Sequence, residues 1–323
     1  MAGSQAGINQ GTQLTRGAGV RIGTRGSPLA LAQAEMVKAA LAAAHAPLAQ
    51  HGAIEIVIIK TTGDQIQDRA LSEIGGKGLF TKEIEEALLA DAIDLAVHSM
   101  KDVPTRLPDG LEICCLLERE DPRDVLISRS GNSIATLPQG AVIGSASLRR
   151  QAQLLALRPD LKVVTLRGNV GTRLAKLAKG DADATLLALA GLKRLGKADV
   201  ATAILDMTEM LPAVAQGAIG IEIRAADRRM RDLLQPLHHR ATEIAVTAER
   251  ACLAELEGSC RTPIAAYAEI AADGQLHLRA LIAKPDGSAV HRDARQGPVA
   301  DAERLGRDSG RYLKSLAGPD FLA

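Results

Sequence analysis

Of 323 residues only four are aromatic, Phe80, Tyr267, Tyr312 and Phe321, and none is tryptophan. So few rings exclude the stacking platforms on which proteins seat single-stranded nucleic acid. Nor does either charge dominate: 39 Lys and Arg stand against 38 Asp and Glu, a net charge of +1. There is no bulk basicity to attract a polyanion, so any basic site must be local. No apolar run reaches the ~18–20 residues of a membrane span, and the N-terminus lacks the short apolar core of a secretory signal. Cysteine is scarce, with Cys114 and Cys115 adjacent and Cys252 and Cys260 far away. That spacing suits neither a disulfide framework nor a set of metal ligands. The expectation is a protein of a reducing cytoplasm, without a metal and without a nucleic-acid or membrane partner. Residues 1–19 are rich in Gly, Gln and Thr without periodicity and read as a disordered lead.

What is present is alternation. Strand-like runs at 20–23, 54–60, 93–99, 141–145, 162–167 and 184–189 alternate with helical patterns at 28–45, 79–91, 147–158 and 170–179. This predicts α/β architecture. Three stretches recur in the same order: "RIGTRGSPLALAQ" with "VIGSASLRRQAQ", "IEIVIIKTTG" with "LKVVTLRGN", and "DAIDLAVHS" with "DADATLLAL". The repeat predicts two similar lobes with a cleft at the carboxyl ends of their strands. Beyond the Gly-broken apolar stretch 211–223 the pattern changes to helices at 226–237 and 240–256. Strands at 263–270 and 276–283 follow, with Asp-Gly turns at 273–274 and 286–287. A small C-terminal α+β domain is expected.

Polar side chains gather where these strands end. Ser27 precedes Pro28, a favoured first helical residue, so it reads as an ordinary cap or as part of an anion-binding helix terminus, with Arg25 beside it. The second lobe repeats the device with Ser147, now followed by Arg149 and Arg150. Cations in a first helical turn oppose the helix dipole, which predicts an anion to join them. Arg167 ends a strand, Arg173 lies in the next helix, and Lys193 and Arg194 follow; Lys193 reads equally as a solvated side chain. Several guanidinium groups facing one cleft suit a ligand with many carboxylates. "HSMKDVP" crowds Lys101 and Asp102 at a strand end before Pro104. In extended backbone these neighbours point to opposite sides.

"SEIGGKGLF" (72–80) fails the spacing of a phosphate loop. The polar stretch 61–76 before its lysine reads as a mobile lid over the cleft. Cys260, in "LEGSCRTP", sits among polar, turn-forming neighbours; it reads as a buried small side chain or as a reactive thiol.

Together "RIGTRGSPLAL", "GGKGLFTKEIE", "AVHSMKDVP", "EREDPRD", "GSASLRRQ", "LRGNVGTRL", "AGLKRLG", "LPAVAQGAIGIE" and "LEGSCRTPI" resemble the porphobilinogen deaminase (hydroxymethylbilane synthase) family, in one order over about residues 20–290. The resemblance implies three domains, the first two like the lobes of periplasmic binding proteins. The boundaries expected are 20–117 with 216–238, 118–215, and 239–323. It implies a monomeric transferase that joins four porphobilinogen molecules head to tail, with release of ammonia, into hydroxymethylbilane for tetrapyrrole (haem-type) biosynthesis. It also implies a dipyrromethane cofactor held by a thioether, here to Cys260. By motif match Lys101, Ser147, Arg149, Arg150 and Arg173 hold the cofactor's carboxylates. Arg25, Ser27, Lys77, Arg167, Arg173 and Arg194 lie near the substrate, and Asp102 is the catalytic carboxylate.

Three positions depart from the family pattern: Glu73 where some members have lysine, Ala146 for serine, and Ala215 for glycine. The residues alone leave two other readings open. One is a two-lobed anion-binding protein, which has no use for Cys260 or Asp102. The other is a Schiff-base enzyme using Lys101, disfavoured because Asp102 beside it should keep the ammonium charged.

Overall fold

The computed structural model describes residues 19–65, 78–257, 262–318 and 321. The first lobe opens with β1 (Val20–Arg25), β2 (Ile54–Ile59), β3 (Leu95–Ser99) and β4 (Leu111–Leu116). The second holds β5 (Asp124–Ser128), β6 (Val142–Gly144), β7 (Lys162–Val164), β8 (Ala184–Ala188) and β9 (Ala203–Ile204). The chain then returns to the first lobe as β10 (Ile219–Arg224). The C-terminal part contributes β11 (Ile264–Ile270), β12 (Gln275–Ala283) and β13 (Val290–Pro298).

The strand orders make the repeat explicit. The first sheet runs β2-β1-β3-β10-β4 and the second β7-β6-β8-β5-β9. In each, three strands are parallel and the fourth and fifth positions are antiparallel to their neighbours. The likeness reaches single hydrogen bonds. The Arg21 amide donates to the Asp94 carboxylate at 2.7 Å while the Asp94 amide donates to the Arg21 carbonyl at 2.9 Å. The Val142 amide and Asp183 repeat both bonds at 2.7 and 2.8 Å. Each aspartate thus locks its parallel strand pair at the same place, as the matched stretches of sequence predict.

Because the fourth strand of each sheet comes from the far side of the other lobe, the chain crosses twice between lobes, at 117–123 and 205–218. The crossings touch. Gly217 has φ +91°, and a Cβ there would lie 2.3 Å from the Glu120 carbonyl oxygen, so only glycine permits the approach.

With so few aromatics the cores are aliphatic. Val20, Ile22, Leu41, Leu95 and Ile221 fill one side of the first sheet, with Met230 and Leu234 from helix Arg228–Leu234. Leu126, Ile143, Leu154 and Leu186 do the same in the second lobe. The three-stranded antiparallel sheet β11-β12-β13 packs against helices Arg240–Glu255 and Ala302–Ala317. Its core also takes in Met100, Val103 and Ala218 of the first lobe, so the C-terminal domain is built onto the back of the β3 terminus. Among the described residues no helix is long and apolar enough to cross a membrane.

Several elements escaped the sequence reading. β4, β5 and β10 are short strands without clean alternation. β13 and helix Ala302–Ala317 are more than a third polar or charged, and their few apolar residues gain meaning only against the sheet they belong to or cover.

Candidate active site

The carboxyl ends of β1, β3, β6 and β8 face one another across a cavity of about 640 Å³. Helices Pro28–Ala44 and Leu189–Arg194 meet at its edge, where Gly191 lies against Leu29. Ten sequence-predicted site residues line this cavity: Arg25, Ser27, Lys101, Asp102, Ser147, Arg149, Arg150, Arg167, Arg173 and Arg194. Cys260 and Lys77 lie outside the described residues, as do Glu73 and most of the expected lid, residues 66–77. The flanks of that segment are joined: the Gly63 amide donates to the Leu79 carbonyl at 2.9 Å and the Thr62 amide to Glu83 at 2.9 Å.

Asp102 and Lys101 correct the extended-backbone expectation. β3 stops at Ser99, and Met100–Asp102 form one turn of 3-10 helix. The tight turn swings both side chains into the same cavity, whereas His98 points away and pairs with the buried Glu222 at 2.9 Å. Arg25 approaches Asp102 at 3.9 Å, and its guanidinium lies 4.1 Å over the Phe80 ring. One of the few aromatics is therefore spent on orienting an arginine, a cation–π contact.

Lys101 behaves differently from expectation too. Burial, with Arg150 and Arg149 adding repulsion, pushes its ammonium down to about 8, and Asp102 only partly opposes this. The side chain is nevertheless exposed to cleft water. Water in an open cleft relieves part of the shift, so its full extent belongs to a cleft from which water has been driven.

The second lobe answers the question of what anion joins Arg149 and Arg150. It is a residue of the chain. Asp124, fully buried, accepts from Arg149 Nη1 at 2.7 Å and from Arg150 Nη2 at 2.7 Å, while the Leu211 and Leu186 carbonyls take further guanidinium hydrogens. Burial would raise the Asp124 carboxyl, but the two guanidinium groups hold it well below the usual carboxylate range. Burial also lowers Arg149, but a guanidinium starts so high that it stays charged. The anion expected beside these cations is thus supplied by the chain itself, and replacing either arginine would also strand Asp124. Sequence reasoning missed Asp124, although it sits in the quoted "EREDPRD".

Ser27 and Ser147 both cap their helices, accepting from the Ala30 and Arg150 amides at 3.3 and 3.4 Å. Both hydroxyls are seen only as acceptors among the described residues. Arg173 donates through Nε to the Gly168 carbonyl at 2.9 Å; burial, Arg150 and Arg167 bring it down to about 10. Arg194 bonds the Gly217 carbonyl at 2.6 Å, but its buried Nε has no partner among the described residues. A buried guanidinium N–H without an acceptor is costly and marks a place for one. Lys193 pairs with Glu120 at 2.7 Å, outside the cavity, in keeping with the solvated reading.

The cavity also gathers residues that no motif had singled out: Lys60 at the end of β2, and Gln33, which is hydrogen-bonded to Ser99 at 2.8 Å. Gln33 lies on a helix face and Lys60 after an apolar run, and neither carried a local signal. Ala146 lines the cavity as well. Ala215, the other described departure, adopts φ +58°. In total eight cationic side chains and a single carboxylate, Asp102, line the cavity among the described residues. Such a wall suits a ligand bearing several carboxylates.

Comparison with known proteins agrees with this chemistry. Residues 20–232 match the family model described as porphobilinogen deaminase, dipyromethane cofactor binding domain, and residues 243–315 match porphobilinogen deaminase, C-terminal domain. A rice protein named porphobilinogen deaminase, chloroplastic, is 59% identical over 305 residues, covering 94% of this chain and 85% of the relative. The porphobilinogen deaminase of Paracoccus denitrificans is 57% identical over 302 residues, with 94% and 96% coverage. Among solved structures, a periplasmic substrate-binding protein of an ABC transporter from Coxiella burnetii superposes with a TM-score of 0.41 at 17% identity. It covers 69% of this chain and 94% of its own, a likeness too loose to carry anything further. With both parts of the chain matched and relatives this similar along nearly its whole length, the chain belongs to the porphobilinogen deaminase family.

Proposed function

We propose that the cavity holds a dipyrromethane anchored to Cys260 and that Asp102 is the carboxylate that serves each condensation of porphobilinogen. The observation that carries this reading is the wall of eight cations around one carboxylate. Each pyrrole unit brings an acetate and a propionate, so a two-ring cofactor carries four negative charges and every added ring two more. The donors present fit that group. Ser147, Arg149, Arg150 and Arg173 of the second lobe and Lys101 of the first line the cavity, and the buried Arg194 Nε, without a partner among the described residues, is open to an acceptor. When bound, the dipyrromethane supplies the pyrrole carbon to which the next unit is joined.

The chain's own residues bind, orient and stabilise. Guanidinium groups of the second lobe grip carboxylates in fixed orientation, which places the reacting units close together. Arg25, Ser27, Arg167 and Arg194 receive the incoming porphobilinogen. The Asp102 carboxylate, the one negative side chain lining the cavity among the described residues, would face the pyrrole N–H groups of a bound ligand, where a fixed negative charge would stabilise developing positive charge and accept protons. Lys77 is assigned to the substrate side by motif alone.

The reading extends to organisation. The chain divides into domains at 20–117 with 216–238, 118–215 and 239–323, works as a monomer, and resides in the cytoplasm; the rice and pea relatives are named chloroplastic.

Intact mass of the natively expressed protein tests the proposal. The wild-type chain should exceed its sequence mass by one dipyrromethane, and Cys260→Ala, though folded, should lack that increment and make no hydroxymethylbilane. A Cys260→Ala protein that kept the full increment would move the anchor to another residue.

A further inference from the structure

The turn that presents Lys101 and Asp102 to the cavity is held from behind. The Met100 amide donates to the Ala218 carbonyl at 3.1 Å and the Val103 amide to the Met100 carbonyl at 3.2 Å. Met100 itself is buried against β10, where a Cβ on Gly220 would fall 2.0 Å from its sulfur. The two carbonyls that follow the turn are taken by a residue of another domain. Arg250, on helix Arg240–Glu255, donates through Nη1 to the Val103 carbonyl at 3.0 Å and through Nη2 to the Pro104 carbonyl at 2.6 Å.

Three features make this contact more than packing. First, burial brings the Arg250 guanidinium down to about 10, and among the described residues its hydrogen bonds go to two carbonyls and to no carboxylate. A desolvated charge is thus committed to two backbone oxygens, an arrangement kept only where those oxygens need a fixed position. Second, a cavity of about 570 Å³ lies beside it, lined by Met100 and Thr105 on one side and Val246 and Ala251 on the other. Met100 and Val103 pack into the core shared with helix Arg240–Glu255, and beside that apolar contact the guanidinium supplies the polar tie to the backbone of the turn. Third, the preceding residue, Glu249, is fully buried and accepts from Arg119 Nη1 at 2.5 Å, the Ala215 amide at 2.6 Å and the Ala268 amide at 2.8 Å. Adjacent residues of one helix therefore tie both interlobe crossings and the Asp102 turn. That helix ends at Glu255, five residues before Cys260 in the sequence.

We infer that Arg250 is a positioning residue: it fixes the Lys101–Asp102 turn relative to the C-terminal domain, so that the carboxylate keeps its place as the bound chain lengthens. The inference rests on Asp102 serving the condensation as proposed above. Arg250 touches no reacting atom and acts through the backbone of the turn.

A double-mutant cycle on mass-verified holoenzyme separates the possibilities. Arg250→Met should keep the dipyrromethane increment, change KM for porphobilinogen less than twofold, and lower kcat about tenfold to a hundredfold, the scale of a reacting group displaced by an ångström or less. Arg250→Lys, which can reach one carbonyl, should recover part of the rate. In the Asp102→Asn background, Arg250→Met should cost little more, because the group it positions has already lost its charge. Normal kcat in Arg250→Met, or losses that multiply with those of Asp102→Asn, would overturn the inference. Near-normal kcat in Asp102→Asn alone would instead overturn the catalytic reading of Asp102. Rates are expressed per folded active site counted by cofactor mass, and where Arg250→Met does not accumulate, Arg250→Lys against Arg250→Gln carries the same comparison.

Discussion

The two lobes share a strand order, a locking aspartate and a serine-capped helix at the cleft, yet they charge its walls differently. In the second lobe the helix after Ser147 begins with two arginines, and the lobe supplies five of the cavity's eight cations. Two of these are bound to a resident carboxylate, Asp124, and to backbone carbonyls. In the first lobe the matching helix after Ser27 begins with Pro28, Leu29 and Ala30, carries no charge there, and leaves the space to Asp102. One scaffold thus carries five of the cations, and its copy carries three with the lone carboxylate. The difference lies in a few side chains at equivalent strand ends.

Breaking the hold of Asp124 on Arg149 and Arg150 should have the largest effect. Asp124→Asn removes the charge that Arg149 and Arg150 share and leaves two buried guanidinium groups short of an acceptor, a loss of about 3–5 kcal/mol for a disrupted buried pair. Urea denaturation should show it as a shifted midpoint with an unchanged slope. A change within about 1 kcal/mol, the size of one ordinary hydrogen bond, would mean that the carbonyls of Leu186 and Leu211 hold the arginines without Asp124.

Removing the charge from the opposite wall should leave the fold alone. Asp102→Asn keeps size and hydrogen-bonding reach, so a folded, cofactor-loaded enzyme is expected whose turnover falls at least ~10²-fold, the scale of losing a positioned electrostatic or acid–base group. Single-turnover coupling on purified holoprotein measures it, and near-normal coupling would make the carboxylate structural.

A smaller effect sharpens the contrast through pH. Lys101 is brought down to about 8 by burial and by the second lobe's arginines. Its charged form is therefore present below that pH and lost as the pH rises through it, so grip on carboxylates should weaken in the alkaline range. The sign for folding is the reverse. The lowered value costs stability below about pH 8, and the cost is relieved as the pH climbs toward the ordinary lysine value. KM for porphobilinogen should rise a few-fold between roughly pH 7 and 9.5, since the lysine loses most of its proton over that interval. Lys101→Arg should flatten the rise, and an unchanged profile in that variant would assign the titration elsewhere.

The smallest expected effect lies between the lobes. Ala215 takes left-handed backbone at φ +58° where the family pattern has glycine. Ala215→Gly relieves a strain of about 1–2 kcal/mol, offset by the ~0.4–1 kcal/mol of freedom that glycine adds to the unfolded chain. A net stabilisation of about 0–1.6 kcal/mol and a slightly raised Tm follow from the difference; a lowered Tm would show that the methyl group packs more favourably than it strains.

The sequence by itself determined the alternation of strand and helix, the repeat, and the gathering of Arg25, Lys101, Asp102, Ser147, Arg149, Arg150, Arg167, Arg173 and Arg194 at strand ends. Those features are local: hydrophobic period, capping residues and Gly or Pro punctuation are written within a few residues of where they act. Local pattern left undecided which lobe receives which strand, a division that came from the family resemblance alone, because β5 and β10 exchange positions between sheets and their short apolar runs say nothing of their neighbours. Only the tertiary structure set Asp124 between Arg149 and Arg150, 25 and 26 residues apart in the chain. It turned Lys101 and Asp102 into one cavity through a 3-10 turn that extended-strand geometry does not anticipate. It brought Arg250 to the carbonyls of Val103 and Pro104 from 147 and 146 residues away. Charge partners of this kind meet because the chain folds back on itself, and no local pattern in the sequence encodes such a meeting.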